Sequence, residues 1–555
     1  MTELSAAERD VLIRREFRER AGIDVLKIEE RTYPEETNVI VFVREDDLPS
    51  AAAIGNLLDA KLATPTEPVY VVVRRGSVEE GNPGASAPTR GVTDPRVIDM
   101  TRLITARSRV SIVQPSLSYV RDAQANLSAV TAARHQLVFG RRGAGKTALL
   151  VEARNQVRED GAISAWINMQ TLRNEQRERV VLHVLVAILD ELQSARQVVR
   201  SASVVASDIA ELGSESRRML NAQDVEDKTV LRLVPQVQRV LSRFLDIEGV
   251  PLFVFLDDFY YVARNDQPWI LDALHGCVRD CDAWLKVASI RHLTRWFQSS
   301  PPVGLQTGHD ADLIDLDVTL QDPGRAQKFL ENLLSKYAQH VDISSLNRIF
   351  SKKALDRLVI ASGAVPRDYL VLASSAIGKA KARPNASLVG AQDVNQAAGD
   401  AAGIKLQELE EDMASNVGIA EQTLAALRVV RDFCLEENGF TYFLVNFKDK
   451  ELNPRAYSLL TELLDARLIH LLDAGVSDPH AAGERSEAFL LDLSQYSGSR
   501  LKRKIRVLDF SNGRMISRET GTTSAARVGN TPLQVIAILR AAPSFSLGGL
   551  ASIGS

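Results

Sequence analysis

The sequence predicts an α/β fold in which a parallel β-sheet carries helices on both faces. Two observations between residues 96 and 320 support this class. Short apolar runs alternate with longer helical patterns, which is typical of βαβ units. A glycine-rich loop joins the first of these runs directly to a helical pattern. The strands are predicted at Gln136–Phe139, Ala162–Ile167, Leu252–Leu256, Trp284–Ile290 and Leu313–Val318.

Changes in composition divide the rest of the chain into further segments. Residues 1–75 combine a charged helix with apolar runs and a second helix, which predicts a small α/β module. Residues 76–95 are rich in Gly, Pro, Ser and Thr and are predicted to be a linker. Residues 321–412 are mostly helical and are expected to form a lid on the core. In residues 413–540, helices lead into short apolar strands, which predicts a winged-helix-like α+β region.

Two stretches are expected to lack regular structure. Ser203–Asp227 is polar and is predicted to be an irregular insertion within the core. Residues 541–555 are small and rich in Gly and Ser, so a flexible tail is predicted there.

The composition is that of an ordinary soluble protein. Of the 555 residues, 45% are hydrophobic and 25% are charged, and the net charge is -4, so the chain as a whole does not strongly attract nucleic acid. No apolar run approaches the roughly 20 residues that a membrane span needs. The N-terminus has neither the basic nor the apolar region of a secretion signal. We therefore expect a cytoplasmic protein that makes no membrane contact.

The three cysteines predict neither a disulfide framework nor a zinc site. Cys277 and Cys281 are four residues apart with His275 nearby, but a structural zinc ion takes four ligands and no second cysteine pair exists. Cys434 stands alone. Buried thiols in a reducing compartment are the expected state.

A phosphate-binding loop is predicted between residues 140 and 147. The segment GRRGAGKT matches G-x-x-x-x-G-K-[ST], with an apolar strand before it and a helix after it. Glycines let backbone N–H groups surround phosphate oxygens, and the helix directs its positive end at the same anion. Lys146 is expected to reach the β- and γ-phosphates of ATP, and Thr147 to bind Mg²⁺. The predicted ATP-binding residues are Gly140, Arg141, Arg142, Gly143, Ala144, Gly145, Lys146 and Thr147.

An acidic pair ends a second apolar strand. The run PLFVFL leads directly into Asp257 and Asp258, as in a Walker B motif. A buried parallel strand would deliver Asp257 to the sheet edge beside the phosphate-binding loop, where it can hold Mg²⁺ together with Thr147. Asp258 is expected to polarise the attacking water. Its carboxylate is one methylene closer to the backbone than the more common glutamate.

Three arginines are candidates for sensing the nucleotide. Arg291 follows the strand KVASI and is favoured over Ser289 there, because a guanidinium binds phosphate oxygens in a bidentate manner. Arg367 opens a lid helix and is expected to couple the lid position to ATP or ADP. Arg295 is a candidate arginine finger acting on a neighbouring subunit.

The order of these motifs resembles a known family. GRRGAGKT, FVFLDDF, KVASIR and GAVPRDYL follow one another as Walker A, Walker B, sensor 1 and sensor 2 do in the origin-recognition branch of AAA+ ATPases, the replication initiators. The acidic pair followed by an aromatic residue, and the arginine that ends the sensor 1 strand, are similar to STAND signalling ATPases. The resemblance spans about residues 115–410 and implies a P-loop ATPase core with catalytic roles for Lys146, Asp258, Arg291 and Arg367.

A basic cluster near the C-terminus is a candidate DNA contact. A run of cations on a β-hairpin wing could follow a phosphate backbone, whereas the alternatives are a solvated hairpin or a surface that docks an acidic protein. The cations of this cluster are Arg500, Lys502, Arg503, Lys504 and Arg506.

Three functional hypotheses remain from the sequence. The leading one is an ATP-hydrolysing switch that couples nucleotide state to double-stranded DNA binding or to assembly, including a homo-oligomer. The second is a STAND-type signalling ATPase, for example in phage defence, whose N-terminal module contacts an effector protein. The third is a binding protein that retains nucleotide for structure and hardly turns it over.

Overall fold

A computed structural model describes most of the chain in two units, Met1–Pro88 and Thr89–Ser555. The boundary between the units falls within the segment predicted to be a linker, of which residues 76–90 lie outside the described part. In the described part, no helix is long and apolar enough to cross a membrane. The described residues are 6–32, 37–43, 47–62, 69–75, 91–108, 110, 126–196, 203–412, 417–477, 484–498, 502–511, 514–521, 527–529 and 531–553.

The N-terminal unit is the small α/β module that the sequence predicts. Its central strand is antiparallel to one neighbour and parallel to the other. Apolar side chains from both helices and from the sheet form its core, including Phe17, Val41 and Leu58. Its elements are α1 (Ala6–Ala21), β1 (Lys27–Thr32), β2 (Thr37–Val43), α2 (Leu48–Leu62) and β3 (Val69–Arg75), and the sheet order is β1-β2-β3.

The second unit begins with a series of helices and strands. The helices are α3 (Pro95–Arg107), α4 (Asn126–Val130), α5 (Lys146–Glu159), α6 (Arg177–Arg196), α7 (Ser203–Leu220), α8 (Asp227–Glu248) and α9 (Gln267–Val278). The strands are β4 (His135–Phe139), β5 (Ile163–Asn168), β6 (Leu252–Asp257), β7 (Ala283–Ser289), β8 (Phe297–Ser299), β9 (Pro302–Gly304) and β10 (Ala311–Asp315).

Five of these strands form one parallel sheet in the order β10-β4-β7-β6-β5. Every residue of β4 and β6 is buried, as expected for strands covered by helices on both faces. Because β7 lies between β4 and β6, the carboxyl ends of these three strands meet at one edge of the sheet. The P-loop-type parallel core predicted from the alternation pattern is therefore confirmed.

The polar stretch Ser203–Asp227 is not irregular. Most of it forms α7, whose buried residues Val205, Ile209 and Leu212 recur at helical spacing and pack into the core. The prediction of an irregular insertion is wrong because the polar residues occupy only the solvent side of an amphipathic helix.

The predicted helical lid is also present. It consists of α10 (Pro323–His340), α11 (Lys352–Ala361), α12 (Pro366–Lys381) and α13 (Ala391–Asp412). Buried residues of α3, such as Val97 and Met100, belong to the same apolar cluster as the lid rather than to the cluster around the sheet.

A winged-helix arrangement follows the lid. A helix, a strand, two helices and two strands occur in that order, and the three strands form an antiparallel sheet in the order β11-β13-β12. In this arrangement α16 takes the position of the recognition helix. The elements are α14 (Val417–Asp432), β11 (Tyr442–Asn446), α15 (Phe447–Leu452), α16 (Pro454–Asp465), β12 (Ile469–Ser477) and β13 (Arg485–Leu491).

The C-terminal residues form a further small sheet and two helices. These are β14 (Arg506–Ser511), β15 (Arg514–Glu519), β16 (Arg527–Gly529), α17 (Pro532–Leu539) and α18 (Gly548–Ala551). Within the range expected to be a flexible tail, Phe545, Leu547 and Leu550 are buried in the apolar cluster shared with the lid and the winged helix. The described residues 541–553 are therefore packed, because three large apolar side chains are spaced among the small ones.

Candidate nucleotide-binding site

The predicted phosphate-binding loop connects β4 to α5 at the carboxyl edge of the sheet. Gly143 and Gly145 have φ angles of 80° and 99°, a region that favours glycine. Lys146 is 6% exposed, and its Nζ donates hydrogen bonds to the carbonyl oxygens of Gly140 at 2.8 Å and Arg141 at 3.2 Å. The lysine thus closes the loop on itself, with its ammonium group at the start of α5.

Burial lowers the pKa of Lys146, and four carboxylates oppose that effect. Asp257 and Asp258 end β6, and Asp317 follows β10. The fourth carboxylate, Asp465, comes from the winged-helix region. The ammonium group therefore lies where acidic side chains from three separate parts of the chain converge.

Asp257 is suited to hold a metal ion. It is 3% exposed, accepts a hydrogen bond from the Thr147 hydroxyl, and has a second oxygen, Oδ1, without a hydrogen-bond partner. Burial and the neighbouring charge of Asp258 raise its pKa to about 7. A buried, unsatisfied carboxylate oxygen beside a hydroxyl matches the oxygen ligands that Mg²⁺ prefers. Both residues predicted as metal ligands are thus brought together.

Replacing Asp257 by asparagine is expected to stabilise the chain, without nucleotide or metal, clearly at pH 8 and much less at pH 5. The folded-state pKa of about 7 lies above the ordinary 3.8, so the folded state binds the proton more tightly than the unfolded state. The free energy of unfolding therefore falls as the pH rises from about 4 to about 7 and does not fall further above that range. Thermal unfolding with a chelator present measures the difference, which should be at most a few kcal/mol. The same gain at both pH values would contradict a buried charge as its cause.

Asp258 lies directly after the strand with a φ of 56°, in the left-handed region. Its charge acts on Lys146 and on Tyr260, whose ring also lies 5.7 Å from the Arg142 guanidinium. The predicted catalytic acid and a predicted phosphate-binding arginine are therefore close to one tyrosine at the site.

The two candidates at the end of β7 lie in different surroundings. Ser289 is fully buried opposite Phe139 of β4, and its Oγ is 2.5 Å from the Thr294 Oγ1. The Arg291 side chain is 60% exposed, and its Nη1 lies 3.9 Å from an Asp315 oxygen at the end of β10. For Arg295, the backbone N–H donates to the Gln267 Oε1 at 2.7 Å.

The lid contacts the phosphate-binding loop at Gly143. The Arg367 backbone N–H donates to the Gly143 carbonyl at 3.3 Å, and a Cβ on Gly143 would lie 2.9 Å from the Arg367 Cβ. The start of α12 therefore lies directly against the loop. This is the position in which the sequence predicts a lid arginine that responds to nucleotide.

Arg141 forms a second connection between the loop and the lid. It is 5% exposed, and its Nη2 donates to the carbonyl oxygens of Val318 at 2.9 Å and Gly363 at 3.3 Å. Its backbone N–H donates to Asp317 Oδ1 at 2.8 Å. A residue predicted only to line the phosphates also fixes the turn that precedes α12.

A buried polar network continues from that turn into the winged-helix region. Arg467 contacts Asp368 at 2.5 Å, and Lys405 contacts Asp492 at 2.9 Å and Asp368 at 3.6 Å. The His470 Nε2 lies 2.7 Å from Asp492, and burial lowers the pKa of that histidine. All five side chains are at least nine-tenths buried, so the lid and the winged helix are joined by paired charges in the interior.

The winged helix also reaches the nucleotide site itself. The His292 Nδ1 lies 2.5 Å from the Asp465 Oδ2, and its Nε2 lies 3.5 Å from the Glu462 Oε1. His292 follows β7, whereas both carboxylates lie in the last turns of α16. The sequence reasoning missed these contacts because no motif includes the acids, and the only local signal is their position one helical turn apart.

The basic cluster is not on a β-hairpin wing. β13 pairs with β11 and β12, whereas β14 pairs with β15, so the strands before and after the cluster belong to different sheets. Lys502 bonds to the Leu435 carbonyl at 3.2 Å and to Glu436 at 2.6 Å, and the Arg506 guanidinium lies 5.4 Å from the Phe440 ring. Arg503 and Lys504 are exposed, and Arg500 lies outside the described residues.

The predicted burial of the thiols is confirmed for two of the three cysteines. Cys277 and Cys434 are buried, Cys281 is partly buried, and burial raises the pKa of Cys277 to about 12. Within the described part of the chain, no group of three or more His, Cys, Asp or Glu side chains is placed to hold a metal ion.

No protein-family model and no curated protein sequence matches the chain. Among solved structures, it is similar to the Aeropyrum pernix ORC1 protein in complex with DNA, at 15% identity over 67% of this chain and 90% of that chain, with a TM-score of 0.32. It is also similar to CDC6P from Pyrobaculum aerophilum, at 13% identity over 68% of this chain and 93% of that chain, with a TM-score of 0.29. Drosophila ORC bound to DNA matches at 12% identity over 64% of this chain and 87% of that chain, with a TM-score of 0.28. Because these identities and TM-scores are low, the fold class is assigned from the sheet order and site geometry of this chain and not from the similar structures.

Proposed function

We propose that this chain is an ATP-binding and ATP-hydrolysing switch that passes its nucleotide state to a DNA-binding winged helix. One observation carries the proposal. The phosphate-binding loop, the acidic end of β6 and the start of a lid helix meet at Gly140–Thr147.

The residues around the loop have separate roles in this proposal. Lys146 leaves the two loop carbonyls to neutralise the β- and γ-phosphates, and backbone N–H groups of the glycine-rich loop hold the phosphate oxygens. Thr147 and Asp257 hold Mg²⁺, which supplies positive charge to the phosphates when bound. Asp258 orients and polarises the attacking water. Because aspartate is shorter than glutamate, we expect slow turnover.

The lid and the buried network transmit the state of the site. Arg367 and Arg141 connect the loop to the turn before α12, and Asp368 follows Arg367 directly. Asp368 in turn pairs with Arg467 of the winged-helix region. A shift of α12 toward or away from the phosphates must therefore move or break a buried ion pair, which favours two discrete arrangements over a gradual change.

The DNA part of the proposal is supported by the winged-helix arrangement and by exposed cations. Arg455 lies exposed near the start of α16, where a recognition helix contacts base edges, and Arg503 and Lys504 are exposed beyond β13. Arg503 and Lys504 would contact phosphates without reading sequence.

Steady-state ATP hydrolysis with and without duplex DNA tests the proposal. We expect a slow, Mg²⁺-dependent rate that DNA increases and that Asp258→Asn abolishes. Arg503→Glu combined with Lys504→Glu should remove the DNA stimulation and leave the basal rate unchanged, and the stimulation should weaken as salt rises.

A matched control separates a local contact from a change in net charge. Arg232→Glu with Arg239→Glu reverses two exposed arginines on α8 and should leave the DNA stimulation intact. If both double variants lose stimulation equally, the proposed contact is wrong. If DNA has no effect on the unaltered chain but nucleotide drives its assembly, the signalling hypothesis replaces the DNA-linked one. Retained ADP without turnover would favour a structural nucleotide.

A further inference from the structure

Two carboxylates near the end of α16, the recognition-helix position, lie against the segment that follows β7. Asp465 is 6% exposed, and the Glu462 side chain is 14% exposed. Both contact His292, which follows the strand between the phosphate-binding loop and the acidic pair. Asp465 is thus held at the site by a contact between the core and the winged helix.

After His292 and Glu462, the charges that act on Asp465 come from the phosphate-binding loop and its surroundings. Its electrostatic neighbours include Arg142 of the loop and Asp317, which binds the backbone of Arg141. Asp465 is also among the four carboxylates whose charge acts on Lys146. The Asp465 carboxylate is therefore close enough to act electrostatically on Lys146, the group that would neutralise the terminal phosphates.

A terminal phosphate changes this balance. ATP carries one more phosphoryl group than ADP, and its added negative charge lies at the γ position, beside Lys146. Like charges at short range in a buried site repel strongly, because little water screens them. Asp257 and Asp258 already place two carboxylates at the site. A further carboxylate held nearby would therefore weaken the binding of ATP more than the binding of ADP.

We propose that Asp465, assisted by Glu462, is a determinant of nucleotide preference that favours ADP over ATP while the winged helix is docked on His292. The proposal rests on the nucleotide-binding function proposed above. ATP binds with full affinity only when α16 moves away from His292. The carboxylates that favour ADP therefore also hold α16, the recognition-helix position, against the core. His292 positions Asp465, and its role ends when the contact breaks.

The affinities of Mg-ADP and of a non-hydrolysable Mg-ATP analogue for the full chain test this inference by calorimetry. We expect the unaltered chain to prefer ADP. Asp465→Asn keeps the shape and a hydrogen-bonding side chain next to His292 but removes the charge. It should shift the ratio of the two affinities toward the ATP analogue by about tenfold, mainly through tighter binding of the analogue. Glu462→Gln should shift the ratio in the same direction by less.

Glu451→Gln is the matched control, because Glu451 is exposed on α15 of the same region and should leave the ratio unchanged. An Asp465→Asn chain that binds ADP normally with an unaltered ratio would overturn the inference. If that variant does not fold, Glu462→Gln decides the question by the same ratio. Failure of the proposed function gives a different result, since the unaltered chain would then bind neither nucleotide.

Discussion

Lys146→Ala is expected to lower the affinity for Mg-ATP by about a hundredfold or more, with a much smaller effect on stability. The loss is large because, in the proposed site, the ammonium group makes charge-assisted bonds to two phosphates. The chain should also lose about 1–3 kcal/mol of stability, because the buried carbonyl oxygens of Gly140 and Arg141 lose their donor. Calorimetric titration and thermal unfolding measure the two quantities.

A second buried lysine provides the contrast. Lys286 is fully buried, burial lowers its pKa to about 7, and its Nζ donates to the carbonyl oxygens of Ala132 and Arg134 and to Gln136 Oε1 at 2.6–2.7 Å. Lys286→Met should destabilise the chain by about 1–3 kcal/mol, because buried acceptors lose their donor. It should leave nucleotide affinity unchanged in the folded fraction. If Lys286→Met lowers nucleotide affinity as much as Lys146→Ala does, the assignment of the phosphate site is wrong.

The parts of the site that the sequence predicted are those encoded locally. The loop GRRGAGKT and the acids that end β6 each follow an apolar strand, and parallel strands bring their carboxyl ends to one edge. The contact between Thr147 and Asp257 follows from that rule alone. The position of Arg367 on the loop was also predictable, because a helix that follows an α/β core with an arginine in its first turn can fold back on the carboxyl edge.

The contacts between distant segments could not be predicted in the same way. Asp465 meets His292, and Arg467 meets Asp368, only because the winged helix packs on the core and the lid. A single carboxylate in a helix carries no sign of its partner, and burial of a charge appears only when its partner is known. The error at Ser203–Asp227 is different, since the apolar spacing of α7 was present in the sequence and its polar composition concealed it.

Gly363→Ala is expected to destabilise the chain by several kcal/mol, the largest stability effect that we predict. Gly363 has a φ of 56° in the turn before α12, and a Cβ there would lie 2.0 Å from the His470 Nδ1 and 2.2 Å from its Cε1. His470 cannot move away cheaply, because it is fully buried and its other nitrogen lies 2.7 Å from Asp492. The cost therefore combines backbone strain with overpacking in the interior.

The same substitution at Gly378 provides the control, since that glycine is exposed within α12 and a Cβ there would meet nothing within 4 Å. Gly378→Ala should stabilise the chain by about 0.5–1 kcal/mol through helix propensity. Denaturant unfolding measures both changes. Because the Gly363 carbonyl also accepts from Arg141, any Gly363→Ala chain that folds should bind nucleotide more weakly, whereas Gly378→Ala should not. Normal stability of Gly363→Ala would mean that the winged helix does not pack on this turn.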